Sequence, residues 1–220
     1  MTGIIAQNTG RPSGVIKTVA SVSSAWNLIT TLTASSSATF SFVHGSGDVD
    51  FSTYPIYVFK FINVHPQTDA TKFTFNGSDD DSSHSYDVPK TSCALAAFHH
   101  ESAPGGPHGN EIFQYNGGSD LGNGTGFQHL SGPGDSGADA DQSQNGELWL
   151  FKPSSTTFIT HWKSDMSNSG AGAGSSAGTA DQAITAGYFN TAEDITAIQF
   201  KQSSGNLDSG KIKLYGLGDS

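Results

Sequence analysis

Cysteine is nearly missing from this 220-residue chain: Cys93 is the single one. An intramolecular disulfide framework is thereby excluded. Cys93 stands in Ser92-Cys-Ala-Leu-Ala-Ala-Phe98, an apolar stretch that predicts a buried structural thiol. Charge is also scarce: 14% of the residues are Asp, Glu, Lys or Arg, against roughly 25% in average soluble domains. Long amphipathic helices draw on Lys, Glu, Arg and Leu, and no helix-period run stands out. No apolar run is long enough to span a membrane, so no membrane insertion is expected. Met1 is not followed by the basic segment and apolar core of a secretory signal.

Acid is missing from the first part of the chain. Residues 1–47 hold Arg11 and Lys17 and no Asp or Glu; the first acid is Asp48. The formal net charge of −10 therefore divides into +2 for this segment and −12 for the rest, which has 8 basic and 20 acidic residues. An acidic body repels nucleic acid, so no direct nucleic-acid partner is expected. A basic leader is suited to lie against an acidic partner.

What the chain does have is Gly (27 residues), Ser, Thr, Asn and Gln, with short alternating apolar segments between polar turns. This pattern predicts an all-β protein. Ile195–Lys201 and Lys211–Gly216 read as a hairpin across Ser203–Gly210, with Ile198, Phe200, Ile212 and Leu214 on buried faces. Trp26–Thr33 and Ala38–Val43 read as a first pair. Tyr54–Val64 is the strongest strand, central and partly buried on both sides, with its core at Ile56–Asn63. Lys72–Asn76, a short strand at His84–Val88, and Thr91–His100 follow. Residues 101–145 are the least regular, with short strands near Ile112–Tyr115 and Gly126–Leu130. Gly146–Pro153 and Thr157–Trp162 form a hairpin across Ser154-Ser-Thr156. Asn168–Thr179 reads as a Gly/Ala/Ser loop, and Ile184–Phe189 as a strand. About a dozen short strands at regular spacing predict one antiparallel β-sandwich over residues 26–220, of jelly-roll or concanavalin-like type.

Residues 1–25 read as an anchoring arm. Gly3-Ile4-Ile5 recurs in type as Gly14-Val15-Ile16. Ile4, Ile5, Val15 and Ile16 are poorly placed for a monomer and well suited to strand addition on a partner's sheet edge. Arg11 and Lys17 would meet the partner's acidic groups.

Catalytic patterns are few. Asp79-Asp80-Asp81 and Asp135, Asp139 and Asp141 are oxygen-rich and give weak Ca²⁺ candidates in Asp79, Asp81, Asp139 and Asp141, without EF-hand spacing; solvated loops are the better reading. His99 and His100 are adjacent, so on a strand they point to opposite faces, and with His108 they lack a ligand spacing. No cofactor is expected. Gly134-Asp-Ser-Gly137 resembles a protease nucleophile loop in letters only. Glu101, Glu111 and Glu147 are glycosidase candidates by residue type alone. Trp149 and Trp162 are expected to face each other across the 146–163 hairpin, as interface aromatics or as a platform for a glycan.

Several segments are similar to a known family. They are Trp26-Asn-Leu-Ile29, Tyr57-Val-Phe-Lys-Phe-Ile-Asn-Val-His-Pro66, Leu148-Trp-Leu-Phe-Lys-Pro-Ser-Ser-Thr-Thr-Phe158, Ala186-Gly-Tyr-Phe-Asn-Thr191, and Ser203-Ser-Gly-Asn206 with Ser209-Gly-Lys-Ile-Lys-Leu-Tyr-Gly216. Together with the leader, these resemble virion proteins of tailed bacteriophages common in marine viruses. The likeness covers most of the chain and is weakest over 101–145 and 164–180. It implies a non-enzymatic structural component on the exterior of a phage particle, with phage capsid or tail proteins as partners. Three tasks compete: a capsid decoration or cement protein held by its arm, a tail-fibre or receptor-binding module for a host glycan, and a glycan-processing enzyme. The first is preferred. Virion appendages are usually symmetric, so a homo-oligomer, a homo-trimer first, is expected.

Overall fold

In the computed structural model the described residues are 26–100, 112–132, 135–170 and 179–218. The anchoring arm, Glu101, His108 and Glu111 lie outside them. The described chain forms thirteen strands: β1 (Asn27–Thr33), β2 (Phe40–Val43), β3 (Ile56–Pro66), β4 (Phe73–Ser78), β5 (Lys90–His100), β6 (Ile112–Tyr115), β7 (Gly122–Gly124), β8 (Gln128–His129), β9 (Gln144–Phe151), β10 (His161–Gly170), β11 (Thr179–Phe189), β12 (Ala197–Gln202) and β13 (Leu207–Leu217). All pairings are antiparallel. The large sheet runs β1-β13-β3-β9-β10-β11-β5-β6, with β7 added to β5. The small sheet runs β2-β12-β4-β8. The two pack face to face as a sandwich, the all-β architecture that the composition predicts.

Alternation sets the two faces. In β10, Trp162, Ser164, Met166 and Asn168 are buried while His161, Lys163, Asp165 and Ser167 are exposed, the period of two that a half-buried strand requires. The core between the sheets is aromatic. Phe200 of β12 is its hub, with ring centroids 5.0 Å from Phe59, 5.1 Å from Phe61, 5.9 Å from Phe73, 6.1 Å from Phe42 and 6.2 Å from Phe75. Trp162 lies 4.9 Å from Phe75, edge to face. Its six-membered ring covers Gly187, where a Cβ would stand 2.8 Å from Trp162 Cζ2 and 2.5 Å from the Thr91 carbonyl oxygen. β3 is interior to the large sheet, and Tyr57, Val58, Phe59 and Phe61 are all buried, so its near-continuous apolar run is a two-sided strand as read.

Several sequence expectations are corrected. β12 and β13 are not a hairpin: β12 pairs with β2 and β4, β13 with β1 and β3. Residues 203–206 carry the chain from one sheet to the other. β1 and β2 are likewise in opposite sheets. In each case both strands have one apolar face, and two apolar faces can meet across the core as well as side by side. His84–Val88 forms no strand, because Asp80 captures the backbone of the preceding turn. Of the segment 168–179 read as a loop, residues 168–170 belong to β10 and Thr179 opens β11, while 171–178 lie outside the described residues. Thr91–His100 is a strand, as expected. Cys93 is exposed rather than buried, because Ala94 and Ala96 take the inward positions of β5 and Cys93 has the opposite parity.

Candidate functional site: an aromatic and charged platform on the large sheet

The outer face of the large sheet is organised in cross-strand rows. One row reads Leu28, Tyr215, Val58, Trp149, Lys163, Ala186, Cys93 through successive paired positions. The next reads Lys213, Lys60, Glu147, Asp165, Ile184, Leu95, Tyr115. Directly opposed residues on one face touch, so chemistry changes along the sheet. β1, β13, β3 and β9 carry aromatics and charge; β11, β5 and β6 carry small and apolar side chains.

The aromatic end is a compact cluster. Trp26 meets Trp149 edge to face at 5.7 Å and Tyr215 at 5.8 Å. Lys60 Nζ stands 5.2 Å over the Trp26 ring and Lys163 Nζ 5.1 Å over the Trp149 ring, both inside cation–π range. Trp149 Nε1 donates to Glu147 Oε1 at 2.6 Å, and Lys60 Nζ donates to Glu147 Oε2. Partial burial pushes the Glu147 carboxyl up, but the hydrogen bonds from Lys60 and Trp149 and the charges of Lys60 and Lys163 outweigh it and hold it below its ordinary value. Glu147 is thus an acceptor that ties the Trp149 ring to the Lys60 cation.

Trp149 and Trp162 do not face each other. Trp162 pairs with Leu150 and Trp149 with Lys163, so the tryptophans lie on opposite faces. The chain between β9 and β10 spans residues 152–160, longer than the three-residue turn assumed, and register follows loop length. Trp162 is core. Trp149 belongs to the platform with Trp26, Tyr215, Lys60 and Lys163, four residues that no local motif singles out. The available signal was outward parity on strands whose inner face is apolar.

The acidic candidates do not converge. Asp80 Oδ1 accepts backbone N–H bonds from Ser82 (3.1 Å), Ser83 (2.6 Å) and His84 (2.9 Å), and Oδ2 accepts one from Ser85 (3.0 Å). Those bonds hold its carboxyl far below the usual range. Asp80 thus organises the loop, while Asp79 and Asp81 flank it. Asp139 and Asp141 are exposed, and among the described residues no three His, Cys, Asp or Glu side chains gather as metal ligands. His99 is exposed on the outer face of β5.

One buried cation was not anticipated. Lys90 is fully buried between the sheets, donating to Asn76 Oδ1 and, at 2.9 Å, to the Val88 carbonyl. Burial pulls its pKa down to about 7, against a smaller upward pull from Asp87.

No protein-family profile, no curated protein and no solved structure matches the chain. Among the described residues no helix is long and apolar enough to cross a membrane.

Proposed function

We propose that this chain is a non-enzymatic structural protein of a tailed-phage virion, and that it is a capsid decoration protein held to the particle exterior by residues 1–25. The observation that carries the reading is the place where the arm joins the body. Trp26 directly follows the proposed arm in sequence, and its indole is anchored on Trp149 and Tyr215 at the outer face of the large sheet. A partner gripping the arm is brought against that face. Clustered Trp, Tyr and charged side chains with defined geometry are the composition of protein–protein contact centres. Lys60 and Lys163 occupy positions over the two indole faces that a sugar ring would need, which favours a protein partner over a glycan. A homo-trimer belongs to the same proposal; Phe113 and Tyr115 of edge strand β6 are 69% and 56% exposed and offer apolar surface for a neighbouring copy.

A second reading, a tail-fibre or receptor-binding module for a host surface glycan, is favoured by one feature. An open cleft of about 550 Å³ lies beside Phe113, lined also by Ala97, Phe98, Ser167, Ala180 and Gln182. Exposed rings beside polar side chains suit sugar stacking.

Deleting residues 2–20 and measuring the occupancy of the shortened chain on particles that lack the full-length protein tests the first reading. Loss of loading with a folded body is expected; normal occupancy would sink the arm as anchor. Copy number separates the readings: tens to hundreds per particle, on the order of capsid symmetry, for a decoration protein, and about a dozen or two for a fibre.

A further inference from the structure

Asn76 and Lys90 stand in different sheets: β4 belongs to the small sheet and β5 to the large one. Both residues are 0% exposed. Their side chains meet across the core, where Lys90 Nζ lies 2.5 Å from Asn76 Oδ1 and 2.9 Å from the Val88 carbonyl oxygen. The Asn76 amide is held at both ends. Its Nδ2 donates to the Tyr86 carbonyl and, at 2.9 Å, to the Thr125 carbonyl. Its Oδ1 also accepts the Gly77 backbone N–H at 2.9 Å. Two acceptors on the nitrogen and two donors on the oxygen fix the amide with Oδ1 toward the lysine. Phe189 roofs the pair. Lys90 Nζ is 6.0 Å from its ring centroid, and a Cβ on Gly77 would stand 2.8 Å from the same ring.

The surroundings of Nζ suit a neutral amine. Two N–H bonds satisfy Asn76 Oδ1 and the Val88 carbonyl, and the third position on the nitrogen is then a lone pair. An ammonium would carry a third proton there, with no further acceptor among the described residues, and would add the cost of a buried charge. The downward pull of burial on Lys90 agrees with this state. Asp87, the acid whose charge pulls the other way, is itself exposed.

We propose that Lys90 and Asn76 condense after folding into a side-chain amide that ties the two sheets together covalently. The Nζ lone pair attacks Asn76 Cγ, one bond beyond Oδ1. As the Cγ–Nζ bond forms, negative charge gathers on Oδ1, where the Gly77 N–H already points. The Cγ–Nδ2 bond then breaks. Nδ2 takes the proton that Nζ gives up and leaves as ammonia, so atoms and charge balance without an oxidant or a co-reactant. Holding amine and amide side by side supplies the effective concentration that so slow a reaction needs. Burial keeps out the water that would compete as nucleophile. The product closes residues 76–90 into a ring around the Asp80 turn, and it does not depend on which partner the outer face meets.

Denaturing mass spectrometry of the purified full-length chain tests the proposal, after incubation at about pH 8, where a lysine of lowered pKa is mostly neutral. The wild-type mass is expected to fall short of the sequence mass by one ammonia. Trypsin should then leave the chain uncut after Lys90, and fragmentation should place the link between Asn76 and Lys90. Lys90→Met is expected to keep its full mass. Asn76-Gly77 can also lose ammonia by attack of the Gly77 nitrogen, but that product leaves trypsin cleavage after Lys90 intact and persists in Lys90→Met. Finding it in place of the link overturns the proposal. A wild-type chain that keeps its full sequence mass through prolonged incubation overturns it as well, whether or not the variant folds.

Discussion

Lys90 shows how a single side chain sets a pH dependence. As a free amine, before the bond to Asn76 forms, it has a pKa of about 7 in the folded protein against an ordinary value of 10.5. Between those values the unfolded chain holds a proton that the folded chain has released, so stability rises with pH through this window. Below about pH 7 both states are protonated and the full cost of burying the charge remains. Lys90→Met removes the charge and keeps the volume. The variant is expected to melt no lower than the free-amine wild type at pH 6 and to flatten the stability gain between pH 7 and 10; calorimetry across that range decides, and an unchanged slope would refute it. Asp80 has the opposite sign. Its carboxyl is held down by four backbone N–H bonds, so its contribution is present above the ordinary carboxylate range and lost as pH falls below it. Asp80→Ala is expected to speed amide exchange at Ser82–Ser85 while leaving β4 protected. Equal exchange in the variant would show that the loop is held by something else.

At the scale of elements, the two sheets are joined by aromatic contact and by the crossings at 34–39 and 203–206. β12 is the middle of this junction. It pairs with β2 on one side and β4 on the other, and its Phe200 packs against rings from both sheets. Truncating it leaves a cavity that five aromatic neighbours cannot refill, so Phe200→Ala is expected to cost about 3–5 kcal/mol in urea unfolding; a loss under about 1 kcal/mol would mean the core collapses around the gap. Gly187→Ala tests the facing of Trp162. A Cβ there meets both the indole and the Thr91 carbonyl, so Trp162 must shift and its fluorescence should move toward the red. No spectral change would contradict the packing described.

For the whole molecule, the platform and the arm make one joint prediction. Trp149→Ala removes the ring on which Trp26 rests and frees Glu147 from one of its bonds. If the outer face meets the partner, the variant should load weakly onto particles although its melting point changes little, because the ring lies outside the core. Undiminished loading by Trp149→Ala would place the partner elsewhere.

The sequence by itself determined the class. Scarce charge, a missing helical period and alternating apolar residues left only short strands. Parity set the inner and outer residues where alternation is unbroken, as in Lys211–Gly216 of β13. Local patterns cannot say which strand lies beside which. The final two strands read as a hairpin because hairpins are the shortest connection, yet the chain crosses the core between them, since each apolar face finds a better partner in the opposite sheet. The same limit hid the sites. Trp149 and Trp162 were misplaced because one residue of register reverses a face. Cys93 stands in an apolar stretch yet is exposed, because part of that stretch belongs to the outer face. Trp26, Trp149 and Tyr215 form a platform only once β1, β13, β3 and β9 are neighbours. Asn76 and Lys90, which carry no local motif, meet only when β4 and β5 face each other across the core. Composition and period are properties of the chain, whereas adjacency across a sheet is decided by the long-range packing of aromatic side chains that closes the sandwich.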